Sequence, residues 1–310
     1  MNKKKQKNQA AVAAIAMLLI SAIVISTATF AWFTLGRSAQ VDQVDLKVTK
    51  QGEGIAISAN ATNFTDTITY DNLRGKDTGD KADYNAISED FNHFTDRISP
   101  ASSVFSLNTL PAFFQGGIDR VAKKMVASEA TSADGKTINE NAGFYAFDVF
   151  IKNGGTDEVK VKMSESKIIV DADGDTADDK GDASYYADTV KAMRIGFVNC
   201  GTVTTAAAAT SGTAAAIYAD ASSDAASTKA LTKAGEFDVA EGSYVTEDAA
   251  AATSGYNCTV DTGSGDAILT LAGDSITQVR VYIWMEGQDA NCTDNLMSQY
   301  IKANVVFSIV

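Results

Sequence analysis

The stretch Tyr145-Ala-Phe-Asp-Val-Phe-Ile-Lys152 alternates large apolar side chains (Tyr145, Phe147, Val149, Ile151) with Ala146, Asp148, Phe150 and Lys152. A period of two places one set on a single face of an extended chain, which is the pattern of a half-buried β-strand. Turn chemistry follows in Asn153-Gly154-Gly155-Thr156, and then Val159, Val161 and Met163 alternate with Lys160 and Lys162. Two alternating runs joined by an Asn-Gly turn predict a β-hairpin.

The same period recurs outward in both directions. Val44, Leu46 and Val48 alternate with Asp45 and Lys47 near the start; Met193, Ile195 and Phe197, the run Val279 to Met285, and Ala303, Val305, Phe307 and Ile309 follow later. In the Val279 run, Trp284 shares a face with Tyr282 and Arg280, while Val279, Val281 and Ile283 point the other way. Strands separated by turns, without regularly interposed helical patterns, predict a mostly β, antiparallel sandwich. One short helix is expected at Ile118 to Ala127, where Ile118, Val121, Ala122 and Met125 fall on one helical face behind Gly116-Gly117. Polar and small-residue stretches at about 66–140 and 202–252 read as long loop insertions, with Ala216-Ile217-Tyr218 and Glu236 to Val239 as short added strands. Residues 32–310 are thus expected to form a single β-sandwich domain.

The N-terminus reads as a targeting segment. Lys3, Lys4, Lys5 and Lys7 precede an uncharged apolar run from Ala10 to Ile25, small residues Thr29 and Ala31 frame a cut before Trp32, and Ser26 and Ala28 offer a second site. Residues 1–31 are therefore expected to be a signal peptide, with an uncleaved transmembrane-type helix as the competing reading. Cleavage makes Trp32, Phe33 and Leu35 the tip of an arm backed by the Val44, Leu46, Val48 stripe, an expected assembly arm. The arm either folds onto its own sandwich or pairs with a strand of the next subunit.

Charge and residue inventory narrow the function. The chain has 310 residues, 26 Lys plus Arg against 39 Asp plus Glu, and a formal charge of -13. Such a surface repels phosphate backbones and anionic lipid, so no nucleic-acid partner is expected, and a membrane is met only through the N-terminal segment. The single histidine, His93, lies between aromatics in Phe91-Asn92-His93-Phe94 and is expected to pack. A Ser-His-Asp site would have to use His93 as its base, but no Gly-x-Ser-x-Gly elbow accompanies it, and one histidine cannot build a two-histidine zinc site, so no catalytic residue or organic cofactor is expected. Asp171, Asp173, Asp175 and Asp178 form a weak candidate calcium cluster, since hard oxygen ligands suit calcium but the spacing departs from an EF-hand loop. Three cysteines, Cys200, Cys258 and Cys292, leave the disulfide pairing open.

Thr29-Phe30-Ala31-Trp32-Phe33-Thr34 resembles the processing region of the TasA and camelysin family of exported Gram-positive proteins, which are cut by a SipW-type signal peptidase before an aromatic residue. The resemblance continues through Val44 to Val48, Phe144 to Met163 and Lys302 to Ile309 and leaves 66–97 and 202–252 unmatched, while Trp284 to Cys292 resembles a segment recurrent in uncharacterised proteins of this export class. It implies a jelly-roll-like β-sandwich and a secreted structural subunit of the cell surface or biofilm matrix, with copies of itself and envelope or matrix components as partners. A monomeric adhesion module that binds a glycan or host protein is the alternative. Camelysin-like metalloprotease activity is not carried over, because this chain has one histidine and no HExxH. N-terminal sequencing of secreted protein is expected to begin at Trp32; recovery of Met1-containing protein in the membrane fraction alone would establish the anchor.

Overall fold

A computed structural model describes residues 40–49, 54–74, 92–95, 97–105, 109–119, 124–132, 134–163, 167–171, 183–220, 223, 235–238, 243–244, 256, 259–261, 266–289, 291–292 and 300–310. It is mostly β, with two sheets packed as a sandwich and very little helix. The strands in chain order are β1 Gln40–Thr49, β2 Ile55–Ser58, β3 Thr67–Ile68, β4 Pro100–Val104, β5 Ala112–Asp119, β6 Lys124–Glu129, β7 Tyr145–Asn153, β8 Val159–Met163 and β9 Lys167–Asp171. They continue as β10 Met193–Val203, β11 Thr213–Tyr218, β12 Gly235–Asp238, β13 Ser243–Tyr244, β14 Thr259–Asp261, β15 Ala267–Leu271, β16 Ser275–Glu286 and β17 Tyr300–Ile309. Two helices are described, α1 Tyr70–Arg74 and α2 Ala183–Ala192.

The smaller sheet runs β15-β8-β17-β1-β3, with β9 also on β17; the larger runs β13-β12-β6-β5-β4-β16-β10-β11-β14, with β7 joining β16 to β2. Alternation decides what lies between them. Val44, Leu46 and Val48 of β1, Phe147, Val149 and Ile151 of β7, Ile195 and Phe197 of β10, Val279, Val281 and Ile283 of β16, and Val305 and Phe307 of β17 share one buried core. Each large side chain withdrawn there is worth about 1.5–3 kcal/mol. Both β8 and β9 lie on the same edge of β17, where Met163 faces Phe307 and Lys167 faces Asn304. From Met163 to Lys167 is four positions against three from Asn304 to Phe307, so the inward set passes from Val161 and Met163 to the even-numbered Ile168.

Three sequence expectations are corrected. The run from Ile118 to Ala127 is not a helix: β5 and β6 pair there, with Gly117 opposite Val126, Ile118 opposite Met125 and Asp119 opposite Lys124. Positions that mimic helical spacing are cross-strand neighbours. The sandwich is not wholly antiparallel either, because β1 with β17, β11 with β14 and β4 with β16 are parallel.

Nor do β7 and β8 form a hairpin, since β7 belongs to the larger sheet and β8 to the smaller. The Asn153 turn is instead a corner between layers. Asn153 Nδ2 donates to the carbonyls of Asp157 at 2.8 Å and Ala272 at 3.0 Å, and Gly155 N donates to Asn153 Oδ1 at 3.0 Å. A Cβ at Gly273 would sit 1.9 Å from the Thr156 carbonyl oxygen, so the β15–β16 turn abuts this corner through bare backbone.

Residues on the outward face of the larger sheet are buried as well. Phe105, Phe113, Phe144, Tyr282 and Trp284 form a second cluster, in which Phe105 stacks on Trp284 with centroids 5.3 Å apart. Phe105 occupies the space a side chain at Gly196 would need: a Cβ there would lie 2.1 Å from Phe105 Cζ. Gly196→Ala is therefore expected to cost about 1–3 kcal/mol by overpacking, read from the denaturation midpoint. An unchanged midpoint would mean that the ring has room to withdraw.

Candidate assembly strand and the buried polar strip

Two features of the fold stand apart from an ordinary apolar core. The first is the seat of β1. This strand lies along β17 from the Gln40–Tyr300 pair to the Thr49–Ser308 pair, and touches β3 only at Leu46 and Lys47. Its register shifts between Val41 and Gln43, a bulge that brings Val44, Leu46 and Val48 to the core side. Val44 and Leu46 are fully buried, so of the expected arm these three positions lie within the core of the chain itself. Ala31, Trp32, Phe33 and Leu35, with all of residues 1–31, lie outside the described residues.

The second feature is a polar strip on β16. From Val279 to Met285 the inward residues of this strand are valine, isoleucine and methionine, but Gln278, Arg280, Tyr282, Trp284 and Glu286 face outward and are also buried. Burying a charge without a partner is strongly unfavourable, so each must be matched. Arg280 Nη1 donates to both Asp148 oxygens at 3.2 and 3.3 Å, Gln278 Nε2 donates to Asp148 Oδ2 at 3.1 Å, and Arg280 Nε donates to the Tyr282 hydroxyl at 3.1 Å. On the adjacent strand β10, Arg194 stands opposite Trp284 in the ladder and pairs with Asp289.

Glu286 Oε2 accepts from Trp284 Nε1 at 3.1 Å and from the Tyr256 hydroxyl at 3.0 Å, while Oε1 accepts from Gln288 N at 3.1 Å. Burial raises the Glu286 carboxyl above its ordinary range, against these hydrogen bonds and the Arg194 charge. Burial likewise raises Asp148, opposed by Arg280. These groups are held by one another across β7, β16 and β10, an arrangement that favours one register of those strands. Sequence reasoning missed this strip, and its signal was present: residues with polar groups at every second position, Arg280 and Glu286 charged among them, on a strand whose alternate set from Val279 to Met285 is apolar.

The remaining candidates are placed as follows. Asp171 ends β9, and Asp173, Asp175 and Asp178 lie outside the described residues; among the described residues no three metal-ligating side chains converge. His93 Nε2 donates to the Ala142 carbonyl at 2.8 Å and its ring tilts against Phe144; burial is the main cause of its lowered pKa. Cys200 borders a 390 Å³ cleft with Asn199, Gly201 and Ser211. Burial pushes its thiol up to about 12, which makes it a poor nucleophile. A second cleft of 450 Å³ lies where Thr213 to Ala215 of β11 approach Ala267 to Thr270 of β15, beside Lys160.

No protein-family model matches the chain, and no curated protein matches it.

Glu286→Gln replaces an oxygen that takes bonds with an amino group, leaving a buried donor facing donors. The expected loss is about 1–3 kcal/mol, measured by urea denaturation at neutral pH. The sign with pH is also fixed. Because folding raises the Glu286 pKa, the folded state holds a proton that the unfolded state has released between the two pKa values. The contribution of Glu286 to stability therefore increases as pH falls through the raised folded pKa and levels off below the unfolded one. The Glu286→Gln variant should lack that increment.

Proposed function

We propose that this chain is an exported structural subunit of the cell surface or extracellular matrix, related to the TasA and camelysin proteins, without enzymatic activity. In this reading the two packed sheets are an enlarged jelly-roll-like sandwich, the protein is secreted after cleavage before Trp32, and its principal partner is a further copy of itself.

The observation that supports it is the seat of β1. The first described strand lies parallel to β17, the last, and supplies Val44, Leu46 and Val48 to the core. Parallel neighbours cannot be joined by a tight hairpin, so β1 reaches its place without a local turn holding it to β17. A strand seated in this way makes the same ladder and fills the same core positions whether it comes from its own chain or from a neighbour. Delivery by a neighbour is strand addition, and repeating it head to tail yields an open fibre. The aromatic tip Trp32 to Leu35 then belongs to the same transferred arm.

The test uses mature protein imaged by negative-stain electron microscopy. Filaments are expected, and excess synthetic peptide of sequence Gln40–Thr49 should shorten them by occupying vacant seats. Deleting Trp32 to Gln43 should leave a folded chain without filaments. Filaments that survive the deletion and ignore the peptide would overturn strand transfer. Loss of folding on deletion would show that the arm serves only its own core, and a persistent monomer that binds glycan would favour the adhesion module.

A further inference from the structure

The outward face of the smaller sheet contains a buried lysine. The inward residues of β17 are Ile301, Ala303, Val305 and Phe307, and those of β1 are Val44, Leu46 and Val48, so Lys302 and Asp45 both belong to the opposite, outward side. Lys302 is only 7% exposed, and the Oδ1 atom of Asp45 is buried. The parallel register sets Gln43 beside Lys302 and Asp45 beside Asn304, making Asp45 and Lys302 diagonal neighbours on one face. Diagonal positions lie roughly 7–8 Å apart, a span that a long side chain bridges. On the other flank, β9 places Ile169 beside Lys302 and Asp171 beside Tyr300.

Withdrawal from water disfavours both an ammonium and a carboxylate, and so favours the neutral amine and the neutral acid. Those two species, set diagonally on one face of a fixed ladder, are the reactants of amide formation, and preorganisation of this kind replaces part of the entropic barrier.

We propose that Lys302 and Asp45 are joined by an isopeptide bond between the first and the last strand. The Lys302 Nζ lone pair attacks Asp45 Cγ and forms the C–N bond. The C–O bond to the carboxyl hydroxyl breaks, and the hydroxyl leaves as water with one proton from the amine. Nothing is oxidised or reduced, and no co-reactant is consumed. The bond locks β1 beside β17 against extraction. If β1 is supplied by a neighbouring copy, the same reaction links subunits covalently; that interchain form rests on the strand-transfer reading, and the intrachain form does not.

Intact-mass spectrometry of folded, full-length mature protein, followed by tryptic mapping, tests the bond. A chain lighter by one water than its sequence mass is expected, with a branched peptide joining the Asp45 and Lys302 segments. Lys302→Arg, which keeps the charge but cannot form the amide, and Asp45→Ala should each restore the full mass and lower the melting temperature. Denaturing electrophoresis reads the interchain form as a ladder of multimers that resists boiling in detergent and vanishes in both variants. Wild-type protein that is folded yet at full sequence mass, with no branched peptide and no ladder, overturns the proposal. Filaments that form without the bond would leave the strand-transfer reading standing while the isopeptide falls. The bond in a chain that never polymerises would do the reverse.

Discussion

Strand β16 has both faces withdrawn from water, and this constraint organises the larger sheet. Its inward face is a plain apolar stripe matched by β7 and β10 on either side. Its outward face carries an amide, a guanidinium, a phenol, an indole and a carboxylate in succession, and all are buried. Such a face is tolerable only where neighbouring groups supply complementary charge in the right places, since an unmatched ion there would outweigh several good apolar contacts. Asp148 on β7, Arg194 on β10 and Asp289 after β16 provide that match. The aromatic rings of Phe105 and Phe113 close over the remainder. A slip of one residue in β16 would place a valine where Asp148 meets Arg280 and a guanidinium in the inter-sheet core, so the strip penalises wrong registers more heavily than an all-apolar face would.

Much of this architecture was legible in the sequence because a period of two survives even where both faces are buried. The inward sets of β1, β7, β10, β16 and β17 follow directly from that alternation, and so does the division of Trp284 from Val281 and Ile283. The failures have local causes. Ile118 and Met125 are seven apart, a spacing that a helical face and a close hairpin both produce, and the ladder running from the Phe114–Glu129 pair to the Asp119–Lys124 pair separates the two. At Asn153 the chemistry of the turn was readable, but a turn reports the conformation of its own residues and not which sheet receives the next strand. Parallel pairing of β1 with β17 joins positions more than 250 apart in the chain, and no short-range pattern encodes it. The charged strip was overlooked because Asp148, Arg280 and Glu286, taken singly, look like solvent-facing members of an alternating strand.

The two sheets differ in how they manage the side turned away from the shared core. The larger one covers that side with a second cluster and matched charges. The smaller one presents Lys47 and Lys160 to solvent while it withdraws Lys302, so one lysine on that side stands apart from its fellows. That contrast sets the first and last described strands in one chemical environment, while the insertions contribute β3 to the edge of the smaller sheet and β4, β5, β6, β11, β12 and β13 to the larger one.

The corner at Asn153 bears on how long such a molecule lasts. Asn followed by Gly is the dipeptide most prone to spontaneous cyclisation, because the unhindered glycine nitrogen attacks the side-chain amide and the ring then opens to aspartate or isoaspartate. Here that amide is immobilised: its nitrogen is committed to the carbonyls of Asp157 and Ala272, its oxygen to Gly155 N, and the residue is 1% exposed. Swinging the carbonyl carbon onto Gly154 N would break all of these bonds at once. The hydrogen bonds that turn the chain from one layer to the other thereby shield its most perishable peptide link, and chemical ageing at that point becomes gated by unfolding of the corner.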